Sequence, residues 1–447
     1  MYNESKVVIS MIFESIYTPF GDHTIDVPPD KSISNRSILL NIIAQSGRAK
    51  IKNILLSEDT LATIAFAKRI GFDIKVDENK KTVSMKKGKL IKDIGTFDCK
   101  NSGTTVRHIM SIMCGLDIKG VLDGDSSLRK RPMQRITSFL KEMGADFKGG
   151  ADFLPIEVRS SRLNRIDFTT DLASAQQKSS FILASLLAEG EKATFNFKVP
   201  SRDHTEIMLK EMGINLIYDQ KDSYRQILIK DKRPSEMKDF TVPGDFSSAA
   251  FFIVLAILTP GMCLKIKDVN LNKSRTGLLD VLIQMGADID IFQKKGSGEE
   301  SGDIIIRHSS LKGVNINNKE IIPRMIDEFP VLALAMAFAD SKSRVENVGE
   351  LRVKESDRIE KIREILNFCG MELLAEKDRY EIDPARTKKP SEVVDTSGDH
   401  RIIMTAILAA IITKRKLKLD DISGINVSFP DFFKSLKEIG YEYKCSD

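Results

Sequence analysis

Residues 350–362 read ELRVKESDRIEKI, with eight charged side chains in thirteen positions. Such a run either coats a solvated helix face, its default reading, or sets catalytic groups on a structural frame. A second stretch, GDSSLRKRPMQR at 124–135, puts four basic side chains into a short loop. Beside helix N-termini that loop reads as a clamp for phosphate or carboxylate, because guanidinium forks fit those groups bidentately. Lys31, Arg107 and Arg401 stand near the starts of apolar runs. A cation in the first turn of a helix opposes the macrodipole unless an anion binds in front of it. The chemistry suggested is the handling of a small polyanion.

These groups must be positioned by something, and the chain has a repeat. Six segments share an amphipathic helix pattern, a turn glycine and a strand-like run, with glycines at Gly71, Gly144, Gly213, Gly286, Gly370 and Gly440. Each glycine stands where a helix end needs positive φ before the chain turns into a strand. In phase with them run six apolar stretches that open on small polar or charged residues, near 30, 103, 174, 245, 327 and 399. Hydrophobic nearly all round, these read as buried helices. Ser174 and Asp245 are natural N-caps there, Asn101 is a further candidate, and Asp327 would pass as one. A period of roughly 70 residues exceeds that of the common solenoids. Six such units divide more naturally into two lobes of three, an α/β (α+β) architecture of βαβαββ-type units. The first lobe is expected over 28–241 and the second over 1–27 with 242–447, joined by two crossing strands near 26–30 and 240–245.

Composition removes several alternatives. Lys+Arg of 68 against Asp+Glu of 63 is nearly balanced, there is no Trp, and 7% of residues are aromatic, a poor profile for a nucleic-acid binder. Five widely spaced cysteines with no CxxC argue against a disulfide framework or structural zinc, and for a reducing, cytoplasmic setting. No apolar run is long enough to span a bilayer, and MYNESKVVISMIFESIY is a poor signal peptide because charges break its apolar stretch.

With the motifs DKSISNR, SEDT, NSGTTVR, LRKRPM, SAQQKS, SRDHT, VPGDFSSAAFF, RTGLLDVL, IPRMIDEFPVLA, ELRVKESDRI, GDHR and FPDFF in this order, the chain resembles the 5-enolpyruvylshikimate-3-phosphate synthase family of enolpyruvyl transferases. The resemblance covers nearly the whole chain. It implies two lobes of three βαβαββ units and transfer of the enolpyruvyl group of phosphoenolpyruvate to the 5-hydroxyl of shikimate 3-phosphate, without metal or other cofactor. A monomer is expected. Carried over by position, Lys31 matches the lysine that touches both substrates and joins Asp327 and Glu355 as a candidate catalytic group. Ser32, Arg36, Ser174, Gln176, Ser201 and Arg202 match shikimate-phosphate ligands. Asn101, Gly103, Arg131, Gln176, Arg358 and Arg401 match phosphoenolpyruvate positions. Asp327 matches the carboxylate held against the shikimate hydroxyls and is the expected base. Lys354 and Glu355 match the pair beside it, Glu355 as expected proton donor to the methylene carbon. Gly103 leaves room beside the donor, which implies sensitivity to glyphosate.

Four positions depart from the family pattern. Pro29 precedes the lysine where Gly is common, and Val427-Ser428 stands where some members have a lysine. Ser174-Ala175-Gln176 replaces Ser-Ser-Gln, and His204 replaces a tyrosine. The nearest rival, the sister transferase acting on UDP-N-acetylglucosamine, carries a reactive cysteine in the loop corresponding to 124–131, where GDSSLRKR has none. An inactive homologue fits poorly with the retention of Lys31, Asp327, Lys354, Glu355 and three arginines, spread over several repeats. Within ELRVKESDRIEKI, Ser356 is the expected cap. From Ile359 onward an apolar stripe of Ile362, Ile365, Leu366 and Cys369 is expected to face Glu360, Lys361, Arg363 and Glu364 on a solvated side.

Overall fold

The computed structural model describes residues 11–17, 19–221, 223–294 and 298–446. They fall into two compact units, one formed by 29–243 with 298–299, the other by 11–28, 244–294 and 300–446. Each unit contains three four-stranded sheets. All six sheets repeat one pattern: a parallel pair, then two antiparallel pairings. In the first, Phe240–Thr241 runs parallel to Arg48–Lys52, which pairs antiparallel with Thr82–Lys86, itself antiparallel to Asp73–Asp77. Arg48–Lys52 alternates exposed and buried side chains, as a strand with one face on a core must. The architecture is therefore α/β with six βαβαββ units, arranged so that some strands are borrowed from distant sequence. Met11–Tyr17 lies between Leu417–Leu419 and Glu442–Ser446, and Gly21–Asp26 runs parallel to Met262–Asn270. Residues 1–10, part of the stretch weighed as a leader, lie outside the described residues.

The six apolar stretches are helices beginning at Lys31, Gly103, Ala175, Phe246, Phe329 and His400. Eleven of thirteen residues in Lys31–Ile43 and twelve of thirteen in Phe246–Leu258 are buried. Each fully buried Phe, Leu or Ile contributes about 1.5–3 kcal/mol. The six turn glycines all have positive φ, from 80° at Gly370 to 105° at Gly71. Among the described residues, no helix is long and apolar enough to cross a membrane.

Five of these helices have a capping side chain: Asp30, Ser102, Ser174, Asp245 and Asp399 accept from the N–H of Ile33, Thr105, Gln177, Ser247 and Arg401 at 2.9–3.3 Å. Expectations at helix starts change in four places. Asn101 is not the cap, because Ser102 is. Asp327 is not one either, because the helix starts at Phe329 with Pro330 in its first turn, and Asp327 is engaged elsewhere. Arg107 sits in the second turn of Gly103–Gly115, so its conflict with the dipole is weaker than expected. Finally, Asp357 rather than Ser356 caps Arg358–Cys369, accepting from Ile359 and Glu360 at 3.1 and 3.3 Å. The Ser356 hydroxyl instead donates to Asp399. Lys361, expected on the solvated side, is buried and paired with Glu364 and Asp395 at 3.0 and 2.7 Å.

Candidate functional site

In the 29–243 unit the polar helix starts carry most of the predicted ligands. Lys31 is the first residue of its helix, and its Nζ lies 3.3 Å from Oδ2 of Asp59. That carboxylate, in the first turn of Glu58–Arg69, is the anion that offsets the lysine's unfavourable place on the dipole. Ser32 follows, and its carbonyl accepts from Arg36 Nη1 at 3.1 Å. The Arg36 guanidinium also donates to Thr205 Oγ1 at 2.9 Å and to Ser179 Oγ at 3.1 Å, so it braces three elements from within. Burial lowers its pKa to about 10, against the opposing pull of Glu206, Asp30 and Glu299.

Asn101 and Arg131 form a chain with the basic loop. Arg131 Nη2 donates to Asn101 Oδ1 at 2.9 Å, and Asn101 Nδ2 donates to Asp125 Oδ2 at 2.7 Å. Gly103 sits under two guanidinium groups, and a Cβ there would stand 3.1 Å from Arg107 Nη1 and 3.3 Å from Arg131 Nη1. Arg107 Nη1 donates to Gln176 Oε1 at 2.5 Å, and Gln176 Nε2 donates to Thr104 Oγ1 at 3.1 Å. Gly103, Arg107, Arg131, Asn101 and Gln176 therefore form one cluster, with Ser174 as cap of the helix that bears Gln176. His108, one residue beyond Arg107, is neutral, since burial pushes its pKa down to about 3. Ser201 and Arg202 lie half-buried in the turn before His204–Glu211. His204 is buried with its Nδ1 2.6 Å from Glu299 Oε1.

In the 244–446 unit the centre is Arg358, whose side chain is 1% exposed. Its Nε donates to Asp399 Oδ2 at 2.9 Å, Nη1 to Asp327 Oδ1 at 3.1 Å and Nη2 to Glu355 Oε2 at 2.8 Å. Asp327 Oδ2 is also 3.7 Å from Arg401 Nη2. Burial disfavours the Arg358 cation, but Asp399, Glu355 and Asp327 outweigh it and raise its pKa. Burial likewise pushes the Asp399 carboxyl up, and Arg358 and His400 overcome this to hold it below the ordinary range. Asp399 both caps the His400–Thr413 helix and holds Arg358 and Ser356. Asp245 is held below its ordinary range in the same manner, Arg275 and Arg401 overcoming its burial. Lys354 is half-buried just past the short turn Gly349–Val353. Of the groups near the C-terminus, Ser428 is buried and the Val427 side chain lies outside the described ones.

A family model for EPSP synthase (3-phosphoshikimate 1-carboxyvinyltransferase) matches residues 22–436. The chain belongs to the EPSP synthase family. It is 43% identical over 414 residues to the 3-phosphoshikimate 1-carboxyvinyltransferase of Caldicellulosiruptor bescii, covering 92% of this chain and 95% of that one. To the enzyme of the same name from Bacillus subtilis it is 38% identical, over 95% of this chain and 98% of the relative. The solved structure of EPSP synthase from Acinetobacter baumannii superposes with a TM-score of 0.83 at 30% identity, over 98% of this chain and all of that one.

Sequence reasoning left three residues of these clusters without a role. Asp59 lies in SEDT, where a Ser cap followed by acids looks like ordinary helix chemistry. Asp399 lies in GDHR, where it also looks like a cap, and it is one. Nothing in either motif signals the additional ion pair. Arg107 had a signal, its place near a helix start, but none for its partner Gln176.

Proposed function

We propose that the chain transfers the enolpyruvyl group of phosphoenolpyruvate to the 5-hydroxyl of shikimate 3-phosphate, with release of phosphate. The observation that carries the residue assignment is the gathering of Asp327 and Glu355 on one buried guanidinium. The reaction needs a proton delivered to the methylene carbon, a proton taken from the attacking hydroxyl, and later loss of a proton and of phosphate. Glu355, 37% exposed, is the donor to the methylene carbon. Asp327, between Arg358 and Arg401, accepts the hydroxyl proton. Lys31 serves both substrates from the start of its helix, and Lys354, next to Glu355 in sequence, holds the acceptor. Ser32, Arg36, Ser174, Gln176, Ser201 and Arg202 hold the acceptor, Arg36 through the frame it braces. Asn101, Gly103, Arg131, Gln176, Arg358 and Arg401 hold phosphoenolpyruvate. Both ligands are polyanions, which is why the cluster around Gly103 is rich in guanidinium groups. Without a cysteine in 124–131, the loop supports this acceptor over UDP-N-acetylglucosamine. A monomer is the expected state, to be checked by sedimentation. Five free cysteines support a cytoplasmic location, to be checked by cell fractionation.

The purified chain is expected to release phosphate from phosphoenolpyruvate only when shikimate 3-phosphate is added. Release driven by UDP-N-acetylglucosamine instead would overturn the assignment. Gly103→Ala inserts a methyl against Arg107 and Arg131, two flexible arms that must shift by tenths of an ångström. It is expected to raise the KM for phosphoenolpyruvate by about tenfold or more and to weaken glyphosate inhibition, while the KM for shikimate 3-phosphate changes little. Equal rises in both KM values would place Gly103 outside the donor site.

A further inference from the structure

Lys178 and Glu206 form an ion pair at 2.5 Å in which both side chains are 3% exposed. Neither residue belongs to the ligand set above. Lys178 stands one turn inside the helix capped by Ser174, and Glu206 lies in the first turn of His204–Glu211. The same ammonium donates to the carbonyl of Ser201 at 3.1 Å and lies 5.9 Å from the Phe197 ring centre. One cation thus ties together a helix start, the next helix start and the turn between them. That turn carries Ser201 and Arg202. Thr205, next to Glu206, is fixed in parallel by Arg36 and Ser179.

A buried ion pair is a poor way to gain stability. Removing two charges from water costs several kcal/mol per ion, and well-packed apolar replacements are often neutral or stabilising. Here the balance is worse than usual, because Glu206 Oε2 is buried with no hydrogen-bond partner among the described residues. What an apolar pair cannot do is hold the Ser201 carbonyl at a fixed place and direction. We propose that Lys178 and Glu206 are a positioning pair, which sets the Ser201–Arg202 turn for the anionic acceptor and takes no part in the chemistry. This rests on the reading of that turn as an acceptor-binding element.

The test is Lys178→Met/Glu206→Met, with KM for each substrate, kcat and the denaturant midpoint measured on the full chain. The acceptor KM is expected to rise by about tenfold or more, the donor KM to stay within about threefold, and the midpoint to hold or rise. Glu206→Gln, which keeps an acceptor for Lys178 and the tie to Ser201, is expected to stay within about threefold of the wild-type acceptor KM. Should the double variant not fold, Lys178→Met/Glu206→Gln keeps a polar group at 206 and carries the same expectation as the double variant. A folded variant without the lysine that keeps the wild-type acceptor KM overturns the positioning role, as does a parallel rise in both KM values. If the wild-type chain shows no turnover dependent on shikimate 3-phosphate, the reading of the turn fails instead.

Discussion

Glu355→Gln is expected to lower kcat by roughly a hundred- to ten-thousand-fold, the usual worth of a positioned general acid. The amide is nearly isosteric and its oxygen can still accept from Arg358 Nη2, now 2.8 Å from the Glu355 carboxylate. Geometry and ligand binding should therefore persist while the transferable proton is lost. Asp327→Asn is expected to fall by a similar factor, since its amide cannot take the hydroxyl proton but can keep the contact to Arg358 at 3.1 Å. Steady-state kinetics with separate measurement of shikimate 3-phosphate affinity decide the matter. Turnover near the wild-type value in either variant would remove that residue from proton transfer. Loss of affinity with kcat unchanged would make it a binding group only.

The largest effect on stability is expected from Arg358→Met. It leaves Asp399, Asp327 and Glu355 facing one another without their common cation. Breaking a buried ion pair by removing one partner costs about 3–5 kcal/mol. The pH dependence has a definite sign. In the wild-type protein Asp399 has a lowered pKa, so its contribution is present above the unfolded carboxyl range and lost as pH falls through the folded value. In the variant, burial acts on Asp399 without Arg358, the pKa moves up, and the folded state is destabilised as pH rises through it. The gap between the two proteins should be widest at about pH 8 and narrow toward about pH 5. Denaturant unfolding at both values measures it. A gap that stays constant would mean that Arg358 contributes packing alone.

The repeat was readable because its two signals are local: all-round apolarity for the buried helices, and a glycine at each amphipathic helix end. Those helices begin within two residues of the expected starts. Where one residue decides a cap, tertiary partners intervened: Ser356 is drawn to Asp399 and leaves the cap to Asp357, and Asp327 is drawn to Arg358. Lys361 shows the same limit. On a helical wheel it belongs with the solvated residues, but Asp395 and Glu364 draw it inward. The opening stretch ELRVKESDRIEKI likewise gives its residue types by inspection, but not that Arg358 is buried among three carboxylates from three separate segments. Two of these partners lie 31 and 41 positions away and the third across a turn, beyond any local pattern.

The borrowed strands give the fold a schedule. The 29–243 segment supplies every strand of its own three sheets, the last being Phe240–Thr241. It can close while the ribosome is still at work, once residue 241 has emerged. Met11–Tyr17 has no such opportunity, because both its neighbours, Leu417–Leu419 and Glu442–Ser446, are made last. At a synthesis rate of about 5–20 residues per second, that interior strand waits on the order of 20–90 seconds for its partners. For that interval the cell must keep a bare β-edge, Phe13 included, away from other nascent chains.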